Sequence, residues 1–495
     1  RGVININPGA TVNATNFSAG GNATGSGALN VSGGSFKTGD AISSAIPFQF
    51  GRGGYAALNM SGGTVSAVDF QLGTFAGGTA VATLSGGTLN IGTNYVIVGR
   101  AATGVLTIGS GATLNHNAAN LPIIIVNGNG RGELNLTGGT LDNTGQKINY
   151  NSTTANTVAF LNLNAGLLKN NGFVATSSAT KRLNFNGGTL EVGGSTTNIF
   201  LPAELQVYVN GPFGTYAGGA VINTAGFDIT NAASLLAPSG SGVTGIAVAT
   251  SGSGYIGAPY VSITGDGIGA MAIADMVDDG TGNGTLQVSG IRITNPGNDY
   301  TTATASFVGG APTTAANTGA ATITANTSGG LTKNGLGLLV LDGANTYTGT
   351  TTVNAGGLGG IGSLASPVII GASAILSPGD SIGTLTINNN LTLAAGSKTV
   401  MELNKANSTS DSVMGLATVT YGGTLMVTNL GGTFAGGESY QLFSATTYNP
   451  SNFSATNLPP LFRACTGFGR PAPGRFRSVE LPLPRASPRA LSAAS

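Results

Sequence analysis

Chemistry needs side chains that carry charge, protons or lone pairs, and this chain supplies few. Its 495 residues include one His, one Cys, no Trp and only 7% charged residues. The densest acidic stretch is DMVDDGTGNG, with Asp275, Asp278 and Asp279. Carboxylates gathered among Gly residues suit a calcium ion, the only cofactor the sequence raises. The spacing is neither an EF-hand loop nor the Gly-rich nonapeptide of calcium-binding β-rolls, so a plain acidic turn is the favoured reading. His116 is the sole imidazole and leaves almost no material for a His-based metal site or a Ser-His-Asp triad; a solvated loop His is expected. The lone Cys465 excludes an intrachain disulfide.

Glycoside hydrolysis needs two carboxyls about 5–10 Å apart. Stacked repeats would supply them if acids recurred at one repeat position. Instead Asp40, Asp69, Glu133, Asp142 and Glu191 fall at different positions. Arg52, Arg100 and Arg131 do recur near coil-ending Gly residues, but without acids nearby they read as outward corner residues. The Gly-rich strings lack the Lys-Ser/Thr ending and the following helix of a phosphate loop. No enzyme is expected, and no catalytic residue is assigned.

The elements that would position any of these groups are repeats. LNVSGGSF (29–36), LNMSGGTV (58–65), ATLSGGTL (82–89), LTIGSGATL (106–114), LNLTGGTL (134–141), LNLNAGLL (161–168) and LNFNGGTL (183–190) start 22 to 29 residues apart. A repeat of this period is one supersecondary unit that buries its apolar face only by stacking. Within a copy Leu58 and Met60 point one way and Asn59 and Ser61 the other, as a strand requires. The Gly62-Gly63 pair suits a corner, and three short strands with three corners describe one coil of a solenoid. Leu29, Leu58, Leu84, Leu106, Leu134, Leu161 and Leu183 are the expected repeat core. Outward Asn30, Asn59, Asn135, Asn162 and Asn184 could form a hydrogen-bonded ladder.

Composition agrees. The chain has 83 Gly, but periodic Leu, Ile and Val argue against disorder. No basic stripe lies along the rod, so nucleic acid is not an expected partner. No apolar run is long enough to span a membrane as a helix. No signal peptide opens the chain at Arg1, as expected after processing or in a fragment. Residues 1–235 read as solenoid repeats and 236–320 as an inserted β module. The module is duplicated: VTGIAVATSGSGYIGAP (243–259) aligns with VSGIRITNPGNDYTTAT (288–304), matching Tyr255 to Tyr300. Residues 321–462 return to solenoid texture. Residues 463–495, with six Arg and one Glu, read as a Pro/Arg-rich tail, disordered or frameshifted.

At 329–358 the chain reads GGLTKNGLGLLVLDGANTYTGTTTVNAGGL. This resembles the autotransporter-associated β-strand repeat of bacterial surface and secreted proteins. The stretch ILSPGDSIGTLTINNNLTLAAGS (375–397) looks like the region that commonly follows it. The resemblance implies an all-β, right-handed parallel β-helix, exported to the cell surface or the extracellular space, with no catalytic residues to carry over. The expected function is a structural or adhesive rod making multivalent contacts to glycans or other surfaces. A polysaccharide lyase or glycosidase is the alternative, as is a filament subunit that self-associates end to end.

Overall fold

A computed structural model describes residues 1–39, 48–118, 121–150, 157–175, 180–194 and 199–460, and the backbone of two further strands, Phe462–Ala464 and Arg475–Ser478. The described residues contain no helix. Their parallel strands stack as a β-solenoid of about 17 turns.

The repeat produces the stack directly. Leu29 pairs with Leu58, Leu58 with Ala82, Ala82 with Leu106, and the column continues through Leu134, Leu161 and Leu183 to Val207. Leu84 is also interior but belongs to the neighbouring column, between Met60 and Ile108. Both columns are fully buried and join one core that runs the length of the solenoid. Each rung adds about 4.8 Å.

The Gly pair does not end a strand, as the sequence suggested. It bends one continuous strand, Tyr55–Ala67, and the same holds in Ser26–Thr38 and Thr79–Ile91. The ladder slips between Met60 and Thr64, so the bend is a bulge. Gly63 has φ +75°, and a Cβ there would meet the Gly34 carbonyl oxygen at 2.2 Å. A short strand such as Phe70–Leu72 completes the coil.

Between Leu236 and Leu331 the chain leaves the solenoid. It rejoins without a gap, because Val221 pairs with Thr332 and Thr332 with Thr352. In the next coil the corresponding link is only residues 346–350, between strands Ala344–Asn345 and Thr351–Val353. The insertion therefore expands one turn of one coil.

The insertion is a six-stranded antiparallel module from Ser241 to Ala325, built from two interlocked copies of a three-stranded unit. The first strand of one copy, Ser241–Thr250, pairs with the last strand of the other, Asn317–Ala325. Leu286–Asn295 pairs with Met271–Asp278 in the equivalent way. The middle strands, Tyr260–Gly265 and Ala303–Val308, pair with each other across the pseudo-two-fold. The local bonds repeat too. The Tyr255 N–H donates to Leu286 O at 3.0 Å, and the Tyr300 N–H to Ser241 O at 2.9 Å. The buried Tyr255 and Tyr300 hydroxyls accept from the N–H groups of Ala316 and Ala270, at 2.8 and 3.2 Å.

Of the tail, strands Phe462–Ala464 and Arg475–Ser478 pair antiparallel, and the second also pairs with Ser439–Gln441. Cys465, with residues 466–474 and 479–495, lies outside the described residues.

Candidate functional site

The module folds back over the outward face of earlier coils. Tyr55 Oη donates to the Ala258 carbonyl at 2.8 Å, and Asn59 Nδ2 to that of Ile256 at 2.9 Å. Further along, Asn164 and Asn186 both donate to Thr294 O, and Asn210 donates to Asn295 Oδ1. A small apolar cluster seals the contact: Tyr55, Ala57, Val81 and Val105 from the solenoid against Ile256 and Ala258 from the module.

This docking corrects the expected outward face. The Asn ladder forms, with Asn59 donating to Asn30 at 2.7 Å, Asn162 to Asn135 at 2.8 Å and Asn184 to Asn162 at 2.7 Å. Thr83 and Thr107 interrupt it. From Asn135 onward the ladder is buried under the module rather than solvated.

Between the module and the uncovered rungs lies a cleft of about 630 Å³. Its floor is two sets of polar side chains on successive coils. One is the paired row Asn30, Asn59, Thr83 and Thr107; beside it, at and near the bulges, stand Ser32, Ser61, Ser85 and Thr137. Its roof is the module strand carrying Asp275 and Met276, with Arg292 beside it. Arg292 and Asp275 form a half-exposed ion pair at 2.5 Å. Tyr260 also lines the cleft, its hydroxyl donating to Glu133 Oε1 at 3.3 Å. Burial, and then the Glu133 charge, push the Tyr260 pKa well up, so it remains a donor.

The acidic stretch is thus divided. Asp275 pairs with Arg292. Asp278 accepts the Gly280 N–H at 2.7 Å, closing its own turn. Asp279 accepts from the Thr281 N–H and hydroxyl, the Gly254 N–H and the Thr285 hydroxyl. These bonds hold its pKa well below the ordinary carboxylate value. Among the described residues no three His, Cys, Asp or Glu gather in a way that would hold a metal ion.

Other groups differ from their expected settings. His116 is not a solvated loop residue. It ends strand Ala112–His116 in a buried row, with Nδ1 2.8 Å from Asn143 Oδ1 and Nε2 2.9 Å from Asn94 O. Arg131 does have an acid nearby: it pairs with buried Glu133 at 2.5 Å. Arg100 donates to Gln71, and Arg52 lies over the Phe75 ring. Asp69 is buried, accepting from the Phe48 N–H and Gln71. Asp142 caps the Thr144 N–H, and Glu191 pairs with Lys169. Asp40 lies outside the described residues.

Asn30, Asn59 and Asp275 were singled out from the sequence, but for a ladder and a metal rather than a cleft; Arg292 was not, yet a signal for its pairing with Asp275 existed. The duplicated copies agree at their core positions and differ at the cleft. Arg292 stands where the other copy has Ala247, and Asp275, opposite Gly290, stands where the other copy has Thr322, opposite Gly245. The ion pair is present only in the arrangement that overhangs the solenoid.

Residues 331–358 match the passenger-associated-transport-repeat family. The match begins where the chain re-enters the solenoid after the module. Within it Lys333 fills an interior column between Ile222 and Val353 and donates to the carbonyls of Asn334, Gly335 and Ala355. Asn345 ties neighbouring coils together, accepting the Leu235 N–H and donating to Ser363 O. No curated protein matches the chain. This repeat, set in a parallel β-solenoid, fits an autotransporter passenger-like β-helix protein. No helix among the described residues is long and apolar enough to cross a membrane.

Proposed function

We propose that the protein is a non-enzymatic adhesive rod of the autotransporter passenger type, displayed on the bacterial surface or secreted, which attaches to glycans. The observation that carries this reading is the pairing of a passenger repeat with a solenoid whose uncovered rungs present Asn, Ser and Thr at a regular spacing. Each such side chain forms a weak hydrogen bond in water, worth roughly 0.5–1.5 kcal/mol at most. Repetition along one rigid body turns weak bonds into useful attachment. The rod gives reach, and the module limits which part of the polar face is open.

The test is attachment of beads coated with the full chain to glycan-coated and bare surfaces. Attachment to the glycan surface should survive 0.5 M salt, because charges are sparse. Indifference to the glycan coat would overturn the adhesive reading, as would sustained release of sugar from it.

A further inference from the structure

Building on the adhesive reading, we propose that the cleft between the module and the solenoid binds an uncharged linear polysaccharide, laid parallel to the solenoid axis.

Three observations support this. The first is the floor. Successive rungs lie about 4.8 Å apart, a spacing comparable to that of sugar residues in an extended chain, and each presents a hydroxyl or an amide. The side-chain oxygens of Thr83, Thr107, Ser61 and Thr137 have no hydrogen-bond partner among the described residues. The next rung, which holds Asn135 and Glu133, is buried under the module and takes no part in the lining. Thr107 is buried, and buried donors and acceptors ordinarily have partners. A sugar hydroxyl, which donates and accepts, complements these unpartnered hydroxyls.

The second is charge. The charged side chains lining the cleft are Asp275 and Arg292, and they neutralise each other. A uronic acid would have to displace Asp275 from Arg292, so an acidic chain gains little over a neutral one. The third is shape. Val81, Val105, Ile256 and Ala258 give the cleft apolar strips beside its hydroxyls. A pyranose has the same division, with C–H faces and hydroxyl edges. An extended polypeptide would instead seek an open strand edge for its backbone. The floor strands have both edges taken by neighbouring coils.

The experiment is calorimetric titration of the full chain with three probes: a neutral β-1,4-linked glucose hexamer, a galacturonic acid hexamer and a Ser/Thr-rich hexapeptide. The neutral hexamer should bind, and free glucose should not. Thr83→Val with Thr107→Val should weaken binding about tenfold, since two hydroxyls are lost while strand-forming shape is kept. Ser61→Ala should weaken it less, and Thr392→Val, in distant coils, should leave it unchanged. Melting curves of each variant separate lost binding from lost folding. The proposal is overturned if the neutral hexamer fails to bind, if the double variant binds it equally, or if only the acidic or peptide probe binds. Its failure is distinct from failure of the adhesive reading. Beads carrying the double variant that still attach would leave adhesion standing without the cleft. Hexamer binding in solution by a chain that does not attach beads would leave the cleft standing without adhesion.

Discussion

Asp411 is buried in the C-terminal coils, with Oδ1 accepting the Gly383 N–H at 2.8 Å and Oδ2 the Glu402 N–H at 2.6 Å. Burial, and to a lesser degree the Glu402 charge, push its pKa up to about 7. In the unfolded chain it returns to about 3.9. The folded state therefore holds this proton more tightly. Its stabilising contribution is complete below about pH 4 and is lost as pH rises through 7. Asp411→Asn should flatten that part of the melting-temperature profile, and equal pH slopes for the two proteins would contradict the assignment. A second pair of substitutions tests the two faces of one strand. Leu136→Asp places a charge in the interior column and should cost at least about 3 kcal/mol in chemical denaturation. Asn135→Asp is costly too, about 1–3 kcal/mol, because the carboxylate would lie buried under the module near Glu133. A neutral Asn135→Asp would mean that this rung is open to water.

Among the elements, the module's two copies should respond alike to equivalent damage. Gly252 and Gly297 have φ of +60° and +72°, and a Cβ at either would meet the backbone nitrogen of Ala316 or Ala270 at 2.5 Å. Gly252→Ala and Gly297→Ala should each destabilise the module by more than about 1 kcal/mol, and by similar amounts in urea titrations. A large cost at one and none at the other would show that the pseudo-symmetry is not mechanical. The duplication was legible in the sequence because Gly and Tyr recur where the backbone admits little else. The interior columns were legible for a similar reason, since stacked coils repeat their side chains. Leu84 shows the limit: a shift of two residues moved it to the next column while Ala82 took the expected place. Docking of the module was not legible. Its contacts are Ala57, Val81 and Ala258, with Asn side chains bonded to carbonyls, and nothing local distinguishes a covered Asn from a solvated one. His116 was misread likewise, because its burial comes from the rungs on either side, Ile91 and Asn143.

For the whole molecule, the insertion occupies one turn of one coil, so the solenoid should survive its removal. Replacing residues 237–330 with the five-residue link of the next coil, 346–350, should yield a folded, helix-free protein by circular dichroism. Its Asn ladder beyond Asn135 would then be exposed. Loss of cooperative melting in this variant would show that the coils depend on the module for their fold. In a stack whose coils contact only their neighbours, stability is roughly a sum of nearest-neighbour terms. The module departs from that pattern, because Tyr55 reaches Ala258 and Asn186 reaches Thr294 across long stretches of sequence.

That departure also has a mechanical meaning. Tension along an unbraced solenoid separates one coil from the next, a few strand bonds at a time. The module grips rungs from Tyr55 to Asn210 with bonds that run across coils rather than between adjacent ones. It is a splint laid along the shaft. Under load the coils beyond the splint should unravel first, so the braced segment, with its cleft, would hold its shape while the remainder pays out as a shock absorber.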